Sequence, residues 1–170
     1  VRFNRKTKRR IDNYRDCGIE IPDADTFIGY LLDQRHLLRG RPQCYQHGDY
    51  HVGNMIIGPC QRLAIIDFNR FDVGDPWEEF NRIVWTAAIS PPFASGQIHA
   101  YFDGEPPPAF FELLAFYMAS NTLASISWAQ GIDDGEVAFM KEQSKTVFTW
   151  FDGFQQSVPS WYLPYPMRLG

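Results

Sequence analysis

Residues 46–54 have the sequence QHGDYHVGN, and they are followed by IIDF at residues 65–68 and GDP at residues 74–76. These stretches concentrate histidine, aspartate and asparagine within a short part of the chain. Gly48 and Gly53 disfavour a helix through the first stretch. We therefore expect a loop that presents several polar side chains.

A β-hairpin is predicted directly after the loop. Apolar segments at residues 54–57 and 63–66 flank the polar turn GPCQ at residues 58–61, a pattern typical of two short paired strands. Residues just before one antiparallel strand and just after its partner meet at the same end of the pair. Asn54 and Asp67 are therefore predicted to converge at the open end of this hairpin.

The residue types at this end favour phosphoryl-transfer chemistry. A loop carboxylate such as Asp49 can accept a proton from an attacking hydroxyl group. Asn54 and Asp67 offer hard oxygen ligands, and Mg²⁺ prefers a few such ligands together with substrate phosphates and water. Asp49 precedes Asn54 by five positions, which is the spacing between base and metal ligand in the kinase catalytic loop. The alternative is that these are ordinary loop and turn residues that bond their own backbone.

The three motifs resemble those of a known family. HGDxHxxN at residues 47–54, IDF at 66–68 and GDP at 74–76 occur in the order and at the spacing of the aminoglycoside phosphotransferase family. That family shares a protein-kinase-like fold with choline and homoserine kinases. The resemblance implies an ATP-dependent enzyme that phosphorylates a hydroxyl group of a small molecule and requires Mg²⁺.

The resemblance also implies roles for individual residues. Asp49 is expected to be the catalytic base, and Asn54 and Asp67 are expected to bind magnesium and, through it, ATP. The residues expected to shape and brace the catalytic loop are His47, His51 and Asp75. Asn69 stands in place of the glycine of the protein-kinase Asp-Phe-Gly motif, which points to a small-molecule acceptor.

The predicted fold class is α+β and mainly α-helical, a single domain over residues 1–170 that forms the C-terminal lobe of a kinase-like fold. Apolar periodicity and capping residues predict the following helices. They span residues 3–16, a region from Asp23 or Asp25 to Gly40, a helix capped by Asp75 with Glu78 completing a capping box, a short helix at 97–102 after a break at 90–92, a long helix with an apolar stripe over 110–126 that Gly131 terminates, and a last helix at 136–151. The short strands are expected at residues 44–46, 54–57 and 63–66.

The nucleotide-binding half of a kinase is not apparent in this chain. Such a lobe needs a glycine-rich strand pair and a strand lysine that hold the phosphates. The sequence before His47 is predicted to be helical, and its lysines, Lys6 and Lys8, lie in a polar basic run. We therefore expect the isolated chain to transfer phosphate slowly, and a turnover of about one per second with MgATP and a panel of aminoglycosides and amino alcohols would contradict this expectation.

Charge and composition indicate which partners are expected. The net charge is −4, and six of the 16 basic residues lie in the first ten positions. The remaining chain carries ten basic against 20 acidic side chains, which favours a cationic small molecule over a nucleic acid. The three cysteines do not form a disulfide framework and suggest a reducing cytoplasm. We expect no apolar run to approach the ~20 residues of a membrane span.

A substrate pocket is predicted near the later helices. Carboxylates there suit a polycationic amino sugar, although they could instead be solvated helix ends with Asp133 and Asp134 as N-terminal caps. Trp161 could line the mouth of the pocket or stack on a cationic ligand. The acidic candidates are Asp103, Glu105, Glu112, Asp133, Asp134 and Glu136.

Other interpretations remain open. The chain could be a catalytically silent binding module of kinase-like ancestry, and surplus aromatic residues could form an apolar surface that favours dimerisation. A basic-arm nucleic-acid binder would lose affinity steeply with salt and upon removal of residues 1–10. A zinc site built from His47, His51, Cys44 and Cys60 is disfavoured, because Cys60 falls at the far turn of the hairpin.

Overall fold

The computed structural model describes residues 2–167, with side chains from Arg5 onward. The α-helices are α1 (Arg2–Asp16), α2 (Ala24–Asp33), α3 (Ile83–Ile89), α4 (Pro91–Phe102), α5 (Pro108–Ala129) and α6 (Asp134–Trp150). The strands are β1 (Cys44–Gln46), β2 (Met55–Ile57), β3 (Leu63–Ile65) and β4 (Asp72–Gly74). Short 3-10 helices cover Gln34–Leu38, Val52–Asn54, Pro59–Gln61, Phe68–Arg70 and Pro76–Arg82. The predicted α+β, mainly helical class is confirmed.

The described chain divides into two compact units. The first comprises the residues up to Gly40 together with Phe111–Ser160, and its core is aromatic. Phe27 is fully buried, with the ring of Phe154 edge-on at 4.9 Å and that of Phe148 at 5.9 Å between centroids. Such ring pairs add to the stabilisation that comes from burying their area.

Helix α5 is apolar around most of its circumference, which is typical of a helix enclosed on all sides. Among the described residues it is long and apolar enough to cross a membrane by length and composition alone, so the expectation that no run approaches that length was wrong. Its most apolar window is 83% buried inside the protein, as in the core helix of a globular protein.

The second unit contains Arg41–Phe110 and the described residues from Trp161 onward, and it holds all four strands. Strands β2 and β3 form the predicted antiparallel hairpin, with Met55 opposite Ile65 and Ile57 opposite Leu63. Strand β1 pairs with β4, with Gln46 opposite Asp72. The pairing is therefore nested, since the chain enters the hairpin from β1 and leaves it into β4.

Two helix predictions in this unit need correction. The segment after Asp75 is a 3-10 helix over Pro76–Arg82 before α3 begins, although Asp75 does cap it by accepting the Trp77 N–H at 3.0 Å. The predicted break at residues 90–92 is instead the start of α4, because Ser90 caps the helix and proline is tolerated in its first turn. Helix α4 is consequently longer than expected.

The helix ends in the first unit also differ in detail from the expectation. Asp23 precedes α2 in a left-handed conformation and makes no side-chain capping bond, and Asp25 lies inside the first turn. Asp133 caps α6 by accepting the Glu136 N–H at 2.8 Å. The capping interpretation of Asp133 is thereby confirmed.

A buried carboxylate connects the strands of the second unit to the helical segment that follows them. Asp75 is fully buried and accepts two hydrogen bonds from Arg41, at 2.5 and 3.0 Å. The Arg41 guanidinium also lies 3.9 Å from the centre of the Trp77 ring. Gln46 donates to the Asp75 carbonyl at 2.6 Å, and its amide occupies the space that a side chain at Gly74 would need. This cluster holds β1 against the residue that follows β4.

Replacing Asp75 with alanine should destabilise the protein strongly, because it leaves the largely buried Arg41 guanidinium without its carboxylate. We expect a loss of about 3–5 kcal/mol in the free energy of unfolding, measured by urea denaturation. The control is Glu142→Gln, which breaks the exposed Glu142–Lys145 pair and should cost less than about 1 kcal/mol. Equal losses for the two variants would contradict this account.

Candidate active site

Two loops connect the nested strand pairs. The first spans residues 47–54 between β1 and β2, and the second spans residues 66–71 between β3 and β4. Ile66 donates its N–H to the Asn54 carbonyl at 3.0 Å, which extends the hairpin ladder by one residue on each strand. Asp67 follows Ile66 directly. The backbone register therefore places Asn54 and Asp67 at the same end of the hairpin.

His47 connects the two loops through both nitrogens of its ring. Its Nδ1 accepts the backbone N–H of Asp49 at 3.2 Å, which leaves the proton on Nε2. That Nε2–H donates to the carbonyl of Ile66 at 2.8 Å. The ring also packs against Phe68, with 4.4 Å between ring centroids. A neutral His47 in this tautomer satisfies both contacts.

Glu79 holds the backbone of the first loop. Its carboxylate accepts the N–H of His47 at 2.6 Å and the N–H of Gly48 at 3.0 Å. Burial raises the pKa of Glu79, although these two N–H donors oppose the shift. Gly48 has φ +80°, and a side chain there would collide with the Arg70 carbonyl. Glu78 was predicted to complete a capping box and Glu79 was missed, because two adjacent acids in a sequence give no sign of which one faces the loop.

Three basic side chains surround the Asp49 carboxylate, which is 14% exposed. Arg82 Nε lies 3.3 Å from Oδ1, His51 Nε2 lies 3.8 Å from Oδ1, and Arg70 Nη1 lies 3.9 Å from Oδ2. Burial lowers the pKa of Arg82, and the negative charge of Asp49 opposes that shift. Both arginines were missed, because they lie at residues 70 and 82, outside the three motifs.

The oxygen ligands predicted for magnesium fit the chemistry of that ion. Asn54 is buried and its Nδ2 donates to the Asp49 carbonyl at 2.9 Å, so Oδ1 is the amide atom that could bind a cation. Asp67 is exposed and has a left-handed backbone conformation, with φ 65°. Two oxygen donors suffice for Mg²⁺ when phosphates and water complete its shell. No group of three His, Cys, Asp or Glu suited to a metal occurs in residues 2–167.

The remaining predicted residues lie at helix ends and in the C-terminal segment. Glu105 accepts hydrogen bonds from the Tyr162 hydroxyl at 3.0 Å and the Tyr165 N–H at 2.7 Å, and Trp161 is buried. Asp103 ends α4 and is exposed. Asp133, Asp134 and Glu136 lie at the start of α6, in the other compact unit. Their role in substrate binding stays a prediction.

Comparison with known proteins identifies the family. The model of a family described as "Phosphotransferase enzyme family" matches residues 2–111, well over half of the chain. The chain belongs to this phosphotransferase family, as the motif resemblance implied. Searches of curated proteins and of solved structures give no match.

The environment of His51 predicts how it responds to pH. Burial lowers the pKa of His51 from its usual 6.5, and Arg82 lowers it further, whereas Asp49 opposes the shift. We expect an NMR titration of the His51 ring to give a midpoint below 6.5. Asp49→Asn should lower that midpoint again, and Arg82→Gln should raise it.

The lowered pKa of His51 also determines how the stability of the protein depends on pH. The folded state favours neutral His51, so its contribution to stability is present above the unfolded-state pKa of about 6.5 and is lost as the pH falls below it. A midpoint at or above the unfolded value, or shifts of the same sign in both variants, would contradict the described environment.

Proposed function

We propose that this chain carries the acceptor-activating and metal-binding part of an ATP-dependent small-molecule phosphotransferase. The observation that supports this most directly is the position of Asp49. Its carboxylate lies beside Arg82, and its backbone carbonyl accepts a hydrogen bond from the Asn54 side chain. Membership of the phosphotransferase family supports the same reaction class. We also propose that the chain forms the C-terminal lobe of a kinase-like fold.

In the proposed reaction, a hydroxyl oxygen of the acceptor attacks the γ-phosphorus of ATP and ADP leaves. Asp49 orients the acceptor hydroxyl and takes its proton as the new oxygen–phosphorus bond forms. Asn54 Oδ1 and the Asp67 carboxylate would hold Mg²⁺, which would neutralise the phosphate charge when bound. His47 and Glu79 keep the loop backbone in place, so that Asp49 needs little rearrangement.

The charge of the chain and its free cysteines support proposals about the acceptor and the cellular location. The surplus of acidic side chains after residue 10 favours a cationic acceptor over a nucleic acid. Cys17, Cys44 and Cys60 are free thiols, as is usual for proteins of a reducing compartment. We therefore propose an amino-bearing hydroxyl compound as the acceptor, and the cytoplasm as the location.

Two substitutions separate the assigned roles of the loop residues. Asp67→Ala should remove magnesium-dependent nucleotide binding, measured by calorimetry on the chain alone and on the chain joined to any upstream sequence. Asp49→Asn should leave that binding nearly intact and reduce phosphoryl transfer by about 10²–10⁴-fold. Equal loss of binding in both variants would contradict the roles, and nucleotide binding that needs neither residue would favour a catalytically silent module.

Arg82 is expected to act as a positioning residue for Asp49. Arg82→Gln removes the cation 3.3 Å from the carboxylate and should lower kcat by up to about 10²-fold, with little change in the KM for MgATP. Arg70→Gln is the matched comparison, because its more exposed guanidinium lies farther away, at 3.9 Å, and its effect should be smaller. A change in KM alone would count against positioning.

A further inference from the structure

A cavity of about 470 Å³ lies within the first compact unit, between helices α1 and α5. This volume falls in the range of about 300–1,000 Å³ that is usual for small-molecule sites. Arg10 connects the two helices, because its Nη1 donates to Oγ of the buried Ser120 at 3.0 Å. The candidate active site lies in the second unit, and none of its residues lines this cavity.

Side chains of both charges line this cavity. Arg9 and Arg10 contribute guanidinium groups from α1, and Asp16 is the only carboxylate among the lining residues that the structure describes. Arg9 and Asp16 are exposed, and neither forms an ion pair with another described residue. The bond to Ser120 fixes Arg10, and a fixed guanidinium loses less freedom when it binds a carboxylate. The lining can therefore hold an anionic and a cationic group at the same time.

An indole ring and neutral polar groups form much of the remaining lining. Trp128 is 47% exposed, so part of its ring is open to a ligand, and aromatic rings pack favourably on one another. Asn13, Ser127 and Gln130 can each donate and accept hydrogen bonds. These polar groups disfavour a wholly apolar ligand, which would remove them from water without bonding them. The lining therefore suits a ligand with one flat ring and polar groups at its other end.

We propose that this cavity binds a free amino acid with an aromatic side chain. The carboxylate of the ligand pairs with Arg9 and Arg10, its ammonium group pairs with Asp16, and its ring packs on Trp128. A simple amine would lie beside two guanidinium groups, and a simple anion would lie beside the Asp16 carboxylate, so each is disfavoured by a like charge. Binding here does not require phosphoryl transfer, so it can be tested whether or not the proposed reaction takes place.

Three probes with the same ring test the need for both charges. Phenylalanine carries a carboxylate and an ammonium group, 3-phenylpropionate carries only the carboxylate, and 2-phenylethylamine carries only the ammonium group. In heteronuclear NMR titrations at neutral pH, phenylalanine should shift amide signals of residues 9–17 and 124–130 with a Kd below about 3 mM. Each of the other probes should bind there at least about threefold more weakly. Equal affinities for the three probes, or no saturable shifts in these two segments, would overturn the proposal.

Matched substitutions on α1 test the two charged partners. Arg9→Gln should weaken phenylalanine binding by about two- to fivefold, because it removes one partner of the carboxylate. Asp16→Asn should weaken phenylalanine binding to a similar extent but should not weaken 3-phenylpropionate binding, since that probe has no ammonium group. The controls are Arg15→Gln and Asp12→Asn, which make the same changes at exposed positions of α1 outside the lining and should leave the affinities unchanged.

Trp128→Ala tests the ring contact and should weaken the binding of all three probes by at least about threefold. Thermal melting followed by circular dichroism verifies that each variant folds. Wild-type affinity for phenylalanine in folded Arg9→Gln or Asp16→Asn would overturn the proposed ion pair of that residue. Equal losses in Arg9→Gln and its control Arg15→Gln would show that only the net charge matters, and would overturn the location.

Discussion

The nested pairing of β1 with β4 around the β2–β3 hairpin is the constraint on which the candidate site depends. The two loops that connect these pairs carry Asp49, Asn54 and Asp67. Each strand has only three residues, so backbone pairing alone gives a small stabilisation. The loops therefore need further support, which comes from side chains that cross between them and the neighbouring helical segment.

Buried or partly buried carboxylates provide most of that support. Asp75 pairs with Arg41, Glu79 accepts the N–H groups of His47 and Gly48 in the first loop, and Asp49 lies beside Arg82. In each case a negative group removed from water has a fixed partner, because a buried charge without one is costly. The 3-10 helix over Pro76–Arg82 contributes Glu79 and Arg82, so a segment outside the loops determines their geometry.

Much of the local structure could be predicted because it depends on short-range patterns. Helices α1, α5 and α6 follow apolar spacing and terminal residues, and the hairpin follows two apolar segments around a polar turn. The start of α4 could not be inferred from Pro91 alone, since proline both breaks helices and begins them. Likewise, the pairing of β1 with β4 joins residues about thirty positions apart, and local periodicity carries no signal for it.

The sequence by itself determined the family and the residue types of the candidate site, because the order and spacing of motifs are properties of the chain. Only the tertiary structure decided which side chains surround them. Arg70 and Arg82 reach Asp49 from different segments, and Glu79 rather than Glu78 bonds the loop backbone. These contacts depend on distance and direction in the folded chain, where groups far apart in sequence come within hydrogen-bonding reach.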